Sequence, residues 1–451
     1  MTRRFKTLDY EARLNQTISL REARSPNHLA RCVVAIIAQR DVSRLYTRDA
    51  PVGGEAIAPE IVLGLWVYAS ATGLFSSGQI ERATDERIPF RFMAGGWHPD
   101  HDTLANLRKT CLPESPELFV HILLRAQTAG VLKLGNISRD GSQIHAAASK
   151  SQAVRSKRRS EWAAQLRTQV SAWFRLDEGA DPGEVPLPDG LNLAEESALG
   201  QERRAHRATA KAVREARAQE RSAAELADSE AKLHEPEETA RTSPRPPRGR
   251  HAKPPEPGAR DQDPYTFTDP DSRGMQNSAT AGFDQHSNVQ VAVDQDSVLI
   301  VAPALSPHPN DTQAAEPTLP ARPPELGKPT AGALDNGYWS QAHLNAFEQR
   351  GIAAYLATGR EAPHQSGRTF FEQEPAPPPE DASPKAHMAD QFQTEIGTAI
   401  YRLRQCMLEP VIGILKDVLG FRQFSLRGLA AAAGEGCLVC LAFTLKRLPV
   451  L

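Results

Sequence analysis

Long hydrophobic runs are scarce in this chain of 451 residues. The most apolar uncharged stretch, Ile61 to Phe75, contains Gly, Ser and Thr and stops short of the roughly 20 apolar residues that a membrane span needs. It reads as a buried helix, and no membrane association is expected. The opening Met-Thr-Arg-Arg-Phe-Lys lacks the apolar core of a secretory signal, which predicts a cytoplasmic protein. Cysteine is also sparse. Five residues, at 32, 111, 406, 437 and 440, are odd in number and scattered, which argues against a disulfide framework and fits reduced thiols. Cys437 and Cys440 form one CxxC inside an apolar run, with no second pair and no His nearby, so core packing is expected there in place of zinc. A dominant charge is missing too. With a formal net charge of −2, any nucleic-acid role must rest on local basic patches.

Proline and glycine, by contrast, are plentiful at 35 and 30 residues, which predicts a globular majority with a loosely packed interior segment. Residues 1–130 read as a helical domain. Pro59-Glu60 opens a helix with Ile61, Leu65, Tyr68 and Thr72 on one face, and Gly73 ends it. Ser76-Ser-Gly-Gln caps a second helix, and Asp102 or Thr103 caps a third that runs to Lys109. Short helices with exposed Arg and Lys suit DNA docking, and equally an ordinary helical domain. Residues 151–262 break the pattern. Gln201 to Leu233 is Ala-rich with mixed charge, a solvated helix or hairpin, and Glu235 to Asp263 turns to Pro, Arg and Gly, a disordered linker by composition.

Strand signals flank this insertion. Asn136 to Ala148 carries one carboxylate, Asp140, before Gly141. Asn288 to Val293 and Ser297 to Ala302 form a hairpin around Asp294-Gln-Asp296, expected in the same sheet as Asp140. Ala331 to Asp335 is a short strand ending at its acid, followed by a helix over Ser340–Arg350 and a strand over Ile352–Ala357. After a Pro-rich loop over 359–386, a long helix is expected from Gln391 to Leu419. Its apolar face carries Leu403, Met407, Val411, Ile414 and Val418, and Glu409 stands on a polar face with Arg402 and Lys416. Pro410 is expected to kink it or start a new segment. By spacing alone Glu409 is a surface residue. One acid cannot hold a divalent ion in a working geometry, and Asp335 and Glu409 are the partners considered for Asp140.

A family resemblance spans nearly the whole chain. Leu74-Phe-Ser-Ser-Gly-Gln, Phe92-Met-Ala-Gly-Gly and Pro99-Asp-His-Asp-Thr resemble the N-terminal domain of DDE transposases from bacterial insertion sequences. Arg139-Asp-Gly-Ser-Gln-Ile-His-Ala-Ala-Ala-Ser149 is similar to their first acidic motif. Thr268-Asp-Pro-Asp-Ser-Arg273, Asp335-Asn-Gly-Tyr-Trp-Ser340, Ala357-Thr-Gly-Arg360, Tyr401-Arg-Leu-Arg-Gln-Cys-Met-Leu-Glu-Pro-Val-Ile-Gly413 and Gly420-Phe-Arg-Gln-Phe-Ser-Leu-Arg-Gly428 follow in the family's order. The resemblance implies an α/β fold: an RNase H-like catalytic domain with a mixed sheet over 131–150 and 263–451, interrupted by the helical and disordered insertion at 151–262 and preceded by an all-α domain. It implies that Asp140, Asp335 and Glu409 are the catalytic triad and the metal ligands.

Three such carboxylates hold two divalent ions roughly 3.5–4 Å apart, one activating the attacking oxygen and the other stabilising the leaving 3′ oxygen of an in-line phosphoryl transfer. Mg²⁺ is the expected ion, with Mn²⁺ able to substitute. The implied partners are double-stranded DNA, as terminal inverted repeats and target, and a second copy of the chain in a homodimeric synaptic complex at the bacterial nucleoid. Basic residues outnumber acidic ones from 401 to 447, and Arg402, Arg404, Lys416, Arg422 and Arg427 are expected to meet phosphates. Tyr338 and Trp339 have two readings, stacking on an unpaired base or packing under the sheet. His145 likewise reads as a metal ligand or a half-exposed strand residue. Relatives carry Trp and Asn in the final helix where this chain has Gly436 and Thr444, so lower stability is expected. Two further readings stay open: a stand-alone metal-dependent nuclease, and an inactive DNA-binding remnant.

Overall fold

The computed structural model describes residues 25–48, 57–148, 268–278, 282–308, 324–358 and 382–448, with a few further positions within 19–22, 153–155, 209–226, 264–266 and at 379. The chain divides into two compact units, one of Met1–Ala147 with Met275–Leu451 and the other of Ala148–Gly274. Most of the charged and Pro-rich stretches anticipated over 151–262, and of the Pro-rich loop over 359–386, lie outside the described residues.

Among the described residues six α-helices precede the first strand: α1 (Leu29–Ile37), α2 (Pro59–Ala71), α3 (Ser77–Glu86), α4 (Ile88–Met93), α5 (His101–Cys111) and α6 (Ser115–Thr128). In α2, Pro59 occupies the first turn, where its missing N–H costs nothing, and every residue from Val62 to Ala71 is buried. Gly73 ends it with φ +77°, and a Cβ there would lie 2.7 Å from the Leu419 carbonyl oxygen. The cap of α5 is a correction. Asp100, and neither Asp102 nor Thr103, receives the helix N–H, because its two oxygens bond Thr103 N and Thr103 Oγ1 at 2.8 Å each.

The sheet begins with β1 (Asn136–His145). In the second unit β2 (Ala153–Arg155) pairs antiparallel with β3 (Pro264–Thr266). The six-stranded sheet comprises β1 with β4 (Arg273–Ser278), β5 (Gly282–Asp294), β6 (Ile300–Ser306), β7 (Ala331–Leu334) and β8 (Ala353–Leu356). β5 lies antiparallel to β1, Asp140 opposite Val291, and returns as β6 through the turn at 295–297. On its other edge β1 runs parallel to β7, and β7 parallel to β8. The crossover between β7 and β8 is α7 (Gln341–Gln349), as the helix after Asp335 predicted. The result is the mixed sheet, preceded by helices, that the resemblance implies.

The last helices depart from expectation in phase and continuity. In place of one helix there are α8 (Pro384–Gln393) and α9 (Glu395–Gly413), separated at Thr394, whose hydroxyl caps α9 by accepting from Gly397 N at 3.0 Å. Pro410 lies inside α9 without ending it, and the helix widens into a π-helical turn over Ile414–Val418. The buried stripe of α9 is Gly397, Ile400, Tyr401, Arg404, Leu408 and Val411, whereas Leu403 and Val418 are exposed. Of the apolar face expected from sequence, Val411 is buried and Met407 and Ile414 are part-buried, while the positions of Leu403 and Val418 point to solvent because Arg404 and Leu408 belong to the face that meets the sheet.

α10 (Leu429–Arg447) is long and apolar enough to cross a membrane, yet every residue from Glu435 to Leu445 is buried, and the helix packs on α2, α6 and β6. Cys437 and Cys440 are part of that packing, as expected; burial pushes the Cys437 thiol up to about 12 and the Cys440 thiol well above its ordinary range. A single apolar core thus runs from Trp66 and Ile122 of the helices through Leu438 and Leu441 of α10 to Val291 and Val301 of the sheet. Each such side chain contributes about 1.5–3 kcal/mol when fully buried.

Candidate active site

Asp140 lies at the middle of β1, on the strand face shared by Ser138, Ser142 and Ile144, because successive side chains alternate. Asp335 follows directly after the neighbouring strand β7. The parallel register, with Ser138 beside Ala333, brings the end of β7 level with the middle of β1. α9 lies across β1, β7 and β8 and carries Arg404 on its buried stripe. Gly397 lets α9 start close under α8, since a Cβ there would collide with the Gln391 carbonyl. Gln295, from the β5–β6 turn, then fixes α9 on the sheet by donating to Ser138 Oγ at 2.8 Å and to the Ile400 carbonyl at 2.9 Å.

The two acids meet at one guanidinium. Arg404 Nη2 is 3.3 Å from Asp140 Oδ2 and 3.5 Å from Asp335 Oδ2. Tyr401, one turn earlier on α9, donates from its hydroxyl to Asp335 Oδ1 at 3.4 Å, and its ring lies 5.6 Å from the Arg404 guanidinium carbon. The Asp140 and Asp335 side chains keep 27% and 50% exposure, against 7% for Arg404. Arg404 was expected to meet phosphates; in this structure it is engaged by the acids themselves. Sequence reasoning missed that pairing, because the acids come from strands far away in the chain.

Glu409 is exposed on α9 five residues past Arg404, about 140° around the helix from it, so it points away from the buried stripe that carries Arg404. Among the described residues no group of three His, Cys, Asp or Glu is arranged to hold a metal ion. The donor set at Asp140 and Asp335 fits a hard divalent cation: two accessible carboxylates that already share one positive charge.

The basic residues separate into different environments. Arg402 and Arg427 are exposed, and Arg422 is exposed but paired with Asp417 at 2.5 Å. Lys416 is half-buried in a small recess beside Ser142 and Ile144, on the Asp140 face of β1; burial draws its ammonium below the usual range, with Asp417 pulling the other way. Tyr338 requires a correction. It is fully buried, its hydroxyl donates to Gln290 Oε1 at 2.6 Å and its ring lies against Arg139, so it is closed to base stacking. Trp339 is part-buried against the cluster formed by Leu334, Tyr338 and Phe347. His145 falls on the β1 face opposite Asp140, with its Nδ1 3.9 Å from Asp284 Oδ2 and its ring 4.1 Å from that of His286.

Two family models match the chain. Residues 18–110 match a transposase domain (DUF772), and residues 378–449 match a transposase DDE domain. The second match contains Tyr401, Arg404, Glu409 and Lys416; Asp140 and Asp335 lie outside both. No curated protein and no solved structure matches the chain.

Proposed function

Because the chain belongs to the DDE transposases of insertion sequences, we propose that it cuts and rejoins DNA strands at the ends of its own element, with Asp140, Asp335 and Glu409 as the acids of the reaction. The meeting of Asp140 and Asp335 at a single guanidinium is the observation that carries this reading. Two carboxylates from adjacent strands, open to solvent and backed by a rigid sheet, form a preorganised cation site. Bound there, divalent ions, Mg²⁺ by preference, would supply the activation of the attacking oxygen and the neutralisation of the leaving 3′ oxygen. Asp140 is held by the ladder between β1 and β5, and Asp335 is oriented by the Tyr401 hydroxyl. Glu409 supplies the third carboxylate from the same helix as Arg404, after an adjustment of α9 at Pro410 and the π-helical turn that follows it. Arg402, Arg422 and Arg427 bind phosphates of the terminal inverted repeats and target DNA, the helical residues 1–130 dock on the duplex, and two copies hold the paired ends.

The test uses the purified chain, transposon-end duplexes and Mg²⁺. Asp140→Ala, Asp335→Ala and Glu409→Ala are each expected to lower cleavage and joining by at least about a thousandfold while leaving duplex binding intact. Cleavage retained by any of the three would remove that residue from the triad. Binding without metal-dependent cleavage by the parent chain would select the DNA-binding remnant, a reading favoured by the separation of Glu409 from the other two acids.

A further inference from the structure

Arg404 lies where the two carboxylates converge, and its bonds to them are slack. Its Nη2 stands 3.3 and 3.5 Å from the acid oxygens, beyond the roughly 2.7–2.9 Å of a well-made bond between a guanidinium and a carboxylate. Its Nε is buried with no hydrogen-bond partner among the described residues. The same fold contains a permanent pair for comparison: Arg108 Nη2 reaches Glu435 Oε1 at 2.7 Å, and Glu435 also accepts from the N–H groups of Ser425 and Leu426. The acids are more exposed than Arg404, so an incoming cation reaches them from solvent while the guanidinium stays on the protein side.

We infer that Arg404 is a resident counter-ion that competes with divalent cations for the Asp140–Asp335 pair, holding the acids together until an ion displaces it. The inference rests on the reading of these two acids as metal ligands. A guanidinium and a divalent ion cannot both stand within 4 Å of the same carboxylates without strong repulsion, so entry of the ion drives Arg404 away from them. The Tyr401 ring, 5.6 Å from the guanidinium carbon, gives the displaced group a face on which to remain. A DNA phosphate that draws Arg404 off the acids then tightens metal binding, and by linkage the bound ion tightens the hold of Arg404 on phosphate. Ion loading in the free chain is thereby held below what two bare carboxylates would give.

The experiment is a Mn²⁺ titration of the full metal-free chain without DNA, followed by the paramagnetic resonance signal of free Mn²⁺. Arg404→Gln is expected to bind Mn²⁺ at least about tenfold more tightly than the parent, whereas Arg404→Lys, which keeps the charge, stays within about threefold of it. The rise in melting temperature on adding Mn²⁺ is expected to be larger in Arg404→Gln than in the parent. Arg404→Met serves as a second neutral variant if the Gln form does not fold. Neutral variants that bind Mn²⁺ no more tightly than the parent, or not at all, overturn the inference. Asp140→Asn and Asp335→Asn separate the two levels: if both bind Mn²⁺ like the parent, the acids are not ligands and the underlying reading fails, whatever Arg404 does.

Discussion

Arg108 and Glu435 form a buried ion pair at 2.7 Å that ties α5 of the N-terminal helices to α10. Arg108 also donates to Ser425 Oγ and stacks over Trp66, while Glu435 accepts from Ser425 and Leu426. With Glu435 1% exposed, loss of one partner strands the other charge away from water. Glu435→Ala is therefore expected to cost about 3–5 kcal/mol, and the double change Arg108→Met with Glu435→Leu to cost less than Glu435→Ala alone. Urea unfolding of the three chains checks this; a loss below about 1 kcal/mol for Glu435→Ala would show the pair to be incidental.

Gly436 lies inside α10 and borders the recess lined by Ser142, Ile144 and Lys416. A Cβ added there meets Phe424 Cε1 at an ordinary 3.8 Å, so Gly436→Ala is expected to stabilise by about 1 kcal/mol through helix propensity. Gly434→Ala gains less, since its Cβ would crowd Leu112 Cβ at 3.3 Å. Gly436→Trp tests the larger claim that this position lost a core aromatic: a variant melting no higher than the parent speaks against it.

Thr444 is fully buried in α10, and its Oγ1 has no hydrogen-bond partner among the described residues. Val removes the unsatisfied hydroxyl and keeps the shape, and Thr444→Val is expected to raise stability by about 1 kcal/mol. A fall in melting temperature would mean that the hydroxyl is bonded in solution.

His286 gives a pH dependence whose sign follows from its burial. Burial disfavours its charged form and holds its pKa below the ordinary 6.5, with Asp284 opposing the shift and His145 and Lys416 adding to it. The unfolded chain therefore binds the proton first as pH falls. The stability present at neutral pH declines as pH drops through the ordinary value of 6.5, and His286→Asn is expected to flatten that decline. Melting temperatures of both chains between pH 7.5 and 5.5 measure it; parallel slopes would assign the effect to other groups.

Much of the scaffold was legible in the sequence because its signals are local. The Pro59 helix, the hairpin around Asp294–Asp296 and the strands at Ala331 and Ala353 announce themselves by periodicity and turn residues within about ten positions. What was not legible depends on partners brought from afar. Arg404 looks like a phosphate contact until Asp140 and Asp335 are placed beside it. Tyr338 reads equally as a base-stacking or a core residue until Gln290, from another strand, claims its hydroxyl. Asp102 and Thr103 were the caps expected for α5, and only the geometry at Thr103 assigns the role to Asp100.

The shared helix α10 sets an order of events during synthesis. Arg108 leaves the ribosome 317 residues before Ser425, the group to which it donates, and the apolar faces of α2 and α6 emerge long before the helix that covers them. A message cut short before residue 429 would therefore yield a chain in which Arg108 lacks Glu435 and the apolar faces of α2 and α6 lack the helix that covers them.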